Sequence, residues 1–129
     1  MLRFIGKQFR KPTGFLGKII SRIMIRGNRV AYDKIIPDLA IAPNDKILEI
    51  GYGHGLGIGM IASGYHCTVT GIDFSELMFR EASQRNKKHI DQKKVDLYLG
   101  DFLTTDMGSN NFDKVFCINV IYLFNHIFS

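Results

Sequence analysis

The sequence predicts an α/β fold built around a parallel sheet, and three observations carry that prediction. From Lys46 onward, short β-branched runs alternate with helical stretches, a rhythm that implies right-handed βαβ crossovers. The first three runs close on glycine or acid residues, at the strand ends where open α/β sheets bind ligands. With 46% hydrophobic and 22% charged residues, the 129-residue chain has the composition of one globular core.

The elements follow in order. Lys18, Arg22 and Arg26 recur every four residues opposite Leu16, Ile19, Ile20 and Ile23, the pattern of an amphipathic helix with a cationic face. Gly27-Asn28 ends this N-terminal arm, taken as residues 1–28, and a second helix is expected from Arg29 to Leu39. Pro43-Asn44-Asp45 makes a turn into the first strand, Lys46–Ile50. A helix over His54–Ser63 and a strand over Cys67–Ile72 come next. Ser75 is placed to cap a helix from Glu76 to about Ile90, with Glu76 and Glu81 early and Lys87 and Lys88 late, as the helix dipole favours. Val95–Leu99 is the third strand, Lys114–Ile118 the fourth, and Val120–Phe128 begins a helix.

Charge separates the two parts of the chain. Residues 1–32 hold eight Lys or Arg and no acid; the rest holds nine basic and twelve acidic residues, and +8 and −3 sum to the net +5. The basicity therefore belongs to the arm, and nucleic-acid binding is not expected. The arm is the one segment suited to weak contact with an anionic membrane surface, although its default role is a solvated helix face covering the sheet. No run reaches the roughly 20 apolar residues of a membrane span. The start lacks a secretory signal pattern, so a cytoplasmic location is expected. Cys67 and Cys117 lie in separate apolar runs and are expected as reduced thiols. The four histidines have no ligand spacing with them, so no metal is assigned.

The chemistry concentrates after the first strand. Ile47-Leu48-Glu49-Ile50-Gly51-Tyr52-Gly53-His54-Gly55 delivers an acid near a strand end and then glycine at every second position, where a side chain would fill ligand space. No register satisfies G-x-G-x-x-G, which disfavours a nicotinamide-dependent oxidoreductase. Asp73, in Gly71-Ile72-Asp73-Phe74-Ser75, ends the second strand 22 residues after Gly51, where an acid can accept from ribose hydroxyls. Leu99-Gly100-Asp101-Phe102 ends the third. Each has a plainer reading: Asp73 as a helix cap, for which Ser75 is better placed, and Asp101 as the start of a loop. His54 reads as a loop residue near the ligand rather than a catalytic base, and Tyr122 and Phe124 as core rather than site, with the substrate side as the alternative for Tyr122.

Together these features resemble the class I S-adenosylmethionine-dependent methyltransferases, over about residues 29–128. The resemblance implies a Rossmann-like parallel sheet with helices on both faces, preceded by N-terminal helices, and S-adenosyl-L-methionine as cofactor. On it, Gly51, Gly53 and Gly55 line the methionine and ribose portion, and Glu49 faces the methionine amino group through water. Asp73 binds the ribose, Phe74 packs by the adenine, Asp101 accepts from the adenine amino group, and Phe102 is the apolar residue beside that ring. Asn119 borders the transferred methyl, its plainer role being to satisfy backbone groups at a strand end. A sulfonium methyl is already activated and asks mainly for positioning and desolvation, so no catalytic residue is assigned.

The implied activity is methyl transfer to a small-molecule acceptor that the sequence does not identify. The alternative is a non-catalytic cofactor-binding fragment or relic. The family sheet has seven strands, and four are expected here, in a domain over residues 29–129 truncated after the fourth.

Overall fold

A computed structural model describes residues 29–107 and 112–118. The basic arm, Asn119, Tyr122 and the expected helix over Val120–Phe128 lie outside the described residues.

Helix α1 occupies residues 29–38. Tyr32 and Ile36, one turn apart, are buried, with Ile35 and Leu39 packed beside them. Arg29 and Asp33 pair at 3.6 Å on the exposed side. The turn that follows closes on Asp45, whose Oδ2 accepts from the Ala42 N–H at 2.8 Å, and Asn44 takes the left-handed conformation at φ 68°.

The four strands are β1 (Lys46–Ile50), β2 (Thr68–Asp73), β3 (Val95–Leu99) and β4 (Lys114–Phe116). They pair in the order β3-β2-β1-β4, all parallel. Every β1 residue after Lys46 is buried, the signature of a strand covered on both faces. The chain builds β2 and β3 outward on one side of β1 and returns to place β4 on the other. The order thus reverses beside β1, and open sheets of this kind bind ligands outside the carboxyl ends of the strands at such a point.

Three helices join α1 in the described residues: α2 (Leu56–Gly64), α3 (Glu76–Arg85) and α4 (Lys87–Asp91). Tyr32 and Ile36 of α1, Ile58 and Ile61 of α2, and Met78 and Ala82 of α3 meet Ile47 and Val69 in one core. Leu48, Ile50 and Ile72 point to the opposite face, against Tyr98, Phe102, Met107, Phe112 and Cys117.

Beyond one-residue shifts, such as β2 at Thr68–Asp73 in place of Cys67–Ile72, three element boundaries depart from expectation. Helix α2 starts at Leu56, not His54, because Gly55 sits left-handed at φ 84° and cannot be helical. The expected single helix from Glu76 divides at Asn86, with φ −108° and ψ 17° there. Strand β4 ends at Phe116, the partner of Glu49, two residues short of Ile118. The cap holds: Ser75 Oγ accepts from the Met78 N–H at 3.2 Å.

Candidate cofactor site

The loop leaving β1 is shaped by its glycines. Gly51, Gly53 and Gly55 all have positive φ, at 75°, 58° and 84°. Residues with a Cβ resist this region, so the alternation keeps the backbone bare on a tight path. The loop is tied down at both ends: Gly51 N–H donates to Ile72 O at 2.7 Å, and Gly55 N–H donates to Tyr52 O at 3.0 Å. Between them Tyr52 is buried, and its hydroxyl donates to Tyr98 O at 3.1 Å.

Asp73 ends β2 against this loop and is 6% exposed. Its Oδ2 accepts from the Gly53 N–H and its Oδ1 from the Ser75 N–H, both at 3.0 Å. The side chain therefore braces the glycine loop and the start of α3 together. A carboxylate accepts about four hydrogen bonds, so capacity remains for further donors. Burial pushes its carboxyl up to about 6, against the pull of the backbone N–H groups of Ser75, Gly53 and Phe74.

Glu49 lies two residues before Gly51 and is fully buried. Its Oε2 accepts from the Tyr32 hydroxyl, while Oε1 has no hydrogen-bond partner among the described residues. Burial raises its carboxyl to about 8; the Tyr32 hydrogen bond works the other way, and the nearby Asp73 adds to the rise. A buried carboxylate oxygen without a donor is costly, and a cationic or N–H-bearing ligand is the chemistry that would relieve it.

Glu49, Asp73 and the three glycines thus come together at the carboxyl ends of β1 and β2. Asp101 stands apart in character. It is half-buried, and its Oδ1 accepts from the Leu103 N–H at 2.8 Å, closing the turn after β3. Phe74 is half-buried beside Asp73 in sequence, and Phe102 packs against the Leu48–Ile50–Ile72 cluster. His54 is engaged by Glu81 through Nδ1 and Oε2.

Two residues that sequence reasoning passed over are built into the site. Tyr32 reaches Glu49 from α1; the signal was a phenol on an apolar helix stripe, which needs a buried partner for its hydroxyl. Asn86 is buried where α3 gives way to α4, and its Nδ2 donates to Gly55 O and Ala82 O, both at 3.0 Å. An Asn within a helical run, where it competes with the backbone, was the available hint.

Among the described residues no group of three or more His, Cys, Asp or Glu side chains is placed to hold a metal ion. Cys67 and Cys117 are not joined to each other in a disulfide. Among those residues, no helix is long and apolar enough to cross a membrane.

Residues 47–127 match the family model described as a methyltransferase domain. The chain is similar to the phosphoethanolamine N-methyltransferase of Plasmodium falciparum, with 30% identity over 95 residues, 74% of this chain and 35% of that protein. It is 32% identical to the sterol 24-C-methyltransferase of Saccharomyces cerevisiae over 78 residues, 60% of this chain and 20% of that protein. It therefore spans well under half the length of these relatives. Among solved structures, coclaurine N-methyltransferase bound to N-methylheliamine and S-adenosylhomocysteine superposes with a TM-score of 0.61 at 19% identity, covering 93% of this chain and 35% of that one. That likeness is one of fold, and with the strand order and glycine loop it agrees with the family match. The chain belongs to the methyltransferase-domain family, with the α/β fold of its class I members.

Proposed function

We propose that this chain binds S-adenosyl-L-methionine at the carboxyl ends of β1 and β2, as the donor-binding part of a methyltransferase acting on a small-molecule acceptor. The observation that carries this is the pair of buried carboxylates, Glu49 and Asp73, on either side of a left-handed glycine loop, both with acceptor capacity to spare. Such a pair suits a ligand with an ammonium at one end and a vicinal diol further along.

When bound, the cofactor supplies a methyl group on a sulfonium, already activated for in-line attack by an acceptor atom. The chain's own residues have the work of holding and orienting. Glu49 Oε1 would take the amino group, and Asp73 the ribose hydroxyls beyond the backbone N–H groups it already accepts. The bare backbone at Gly51, Gly53 and Gly55 allows close approach. Phe74 and Phe102 would flank the adenine, with Asp101 toward its amino group; Asn119, outside the described residues, is the candidate from sequence for the place beside the methyl. As to the acceptor, the two relatives are named for phosphoethanolamine and a sterol, both small molecules. The basic, apolar arm over residues 1–28 inclines the choice toward a lipid-like one.

A thermal-shift titration separates the donor from its rivals. S-adenosylhomocysteine at a hundredfold excess over its Kd should stabilise the chain by about 2.7 kcal/mol, whereas NADH should leave the melting temperature unchanged. A shift with NADH and none with S-adenosylhomocysteine would overturn the reading. Radiolabelled methyl transfer across amine, hydroxyl and thiol acceptors then addresses the acceptor.

A further inference from the structure

Tyr32 is held from three sides. It is 1% exposed, although it comes from α1 and lies 17 residues before the acid it touches. Its ring lies against Gly57, where an added Cβ would stand 2.2 Å from Tyr32 Cε1. The ring of Phe116, at the end of β4, meets it edge to face with centroids 6.5 Å apart. With the ring so fixed, the hydroxyl has one place to go, and it donates to Oε2 of Glu49. The Oε1 atom of the same carboxylate is buried and has no partner among the described residues.

We propose that Tyr32 is a positioning residue for the amino-acid end of the cofactor: it holds one oxygen of Glu49 and leaves the other for the ammonium group. The inference rests on the cofactor reading above and extends it, because it makes the docking of α1 part of the donor site. The titratable groups that bear on the pair are Asp73 from β2 and Cys117 just past β4. Asp73 raises both partners, and the Tyr32 hydrogen bond favours ionised Glu49. Removing the hydroxyl should therefore push Glu49 further up. An ammonium-bearing ligand, which needs the ionised carboxylate, should then require a higher pH.

The test is calorimetry on the full chain with two ligands, S-adenosylhomocysteine and 5′-methylthioadenosine. The second keeps the adenosine and the sulfur but lacks the amino acid. Tyr32→Phe retains the ring that Gly57 and Phe116 enclose, so it removes the hydroxyl alone. At about pH 7.5 it should weaken S-adenosylhomocysteine about tenfold, the equivalent of one unit in the carboxyl's pKa, and leave methylthioadenosine within about twofold. The rise of S-adenosylhomocysteine affinity with pH should move to higher pH. In a Glu49→Gln background, adding Tyr32→Phe should cause no further loss. Equal weakening of both ligands, an unmoved pH profile, or additive losses in the double variant would each overturn the proposal, because each describes a merely structural tyrosine. If the unaltered chain binds neither ligand, the cofactor reading falls and this inference falls with it.

Discussion

Strands β1, β2 and β3 each deliver an acid at or near their carboxyl ends, and the fold treats the three acids in two ways. Glu49 and Asp73 are 0% and 6% exposed, set among backbone N–H groups, a tyrosine hydroxyl and left-handed glycines. Asp101 is half-buried in a turn between Leu99 and Leu103, which are 41% and 38% exposed. A surface carboxylate that closes a turn costs little to keep. A fully buried one is expensive even when braced, and Glu49 keeps one oxygen without any donor among the described residues. On the proposed reading, the β1–β2 end is where stability is given up for binding, whereas Asp101 already spends one oxygen on closing its own turn.

The comparison breaks first at the glycine loop. Gly55→Ala would place a Cβ 2.6 Å from Asn86 Nδ2 and 2.8 Å from the Ala82 Cβ, at a φ of 84°. Left-handed strain and overpacking together should cost about 3 kcal/mol, read as a lower urea midpoint with the slope unchanged. A neutral outcome would mean that the loop is not held as described.

Next is the buried acid itself. Glu49 has a folded carboxyl raised to about 8, so between the ordinary carboxyl range and that value the folded chain binds a proton that the unfolded chain has released. Its contribution to stability therefore falls as pH rises through this window, and the raised Asp73 adds a loss of the same sign up to about 6. Glu49→Gln should remove the larger part, raising the unliganded melting temperature at about pH 9 by on the order of 5 °C while binding S-adenosylhomocysteine less well. A Gln variant that melts lower than the unaltered chain at that pH would show that the ionised form is well satisfied after all.

Asn86→Leu comes third. It strips the donor from Gly55 O and should cost about 1–3 kcal/mol in the same melts, with a matching loss of cofactor affinity. Asp101→Ala is the smallest. It removes the bond to Leu103 N–H, for about 1 kcal/mol or less. A larger effect of Asp101→Ala on S-adenosylhomocysteine affinity than on stability would move this acid from the loop side of the comparison to the ligand side.

Much of the site was legible in the sequence because its signals are local. Glycine at alternate positions after a β-branched run, an acid closing the next strand and a Ser cap three residues before Met78 are each fixed within a few residues of themselves. The parts that escaped depend on distant partners. Tyr32 reads as one more apolar member of a helix stripe, and its role arises only when α1 lies across β1. Asn86 breaks a helix that periodicity would continue, because its side chain is drawn inward to Gly55 O, 31 residues earlier. The start of α2 slipped by two residues for a local reason: His54 is compatible with a helix, but the left-handed Gly55 after it is not.

The central claim is that the β1–β2 end binds S-adenosylmethionine through its buried acids, and Asp73 tests it most directly. Calorimetric titration of the full chain with S-adenosylhomocysteine should show one site. Asp73→Asn keeps the size and one acceptor oxygen and should weaken that site by about 1.5–3 kcal/mol, about ten- to a hundredfold, as charge-assisted bonds to the ribose hydroxyls are lost. Undiminished affinity in a folded Asp73→Asn chain would contradict the account.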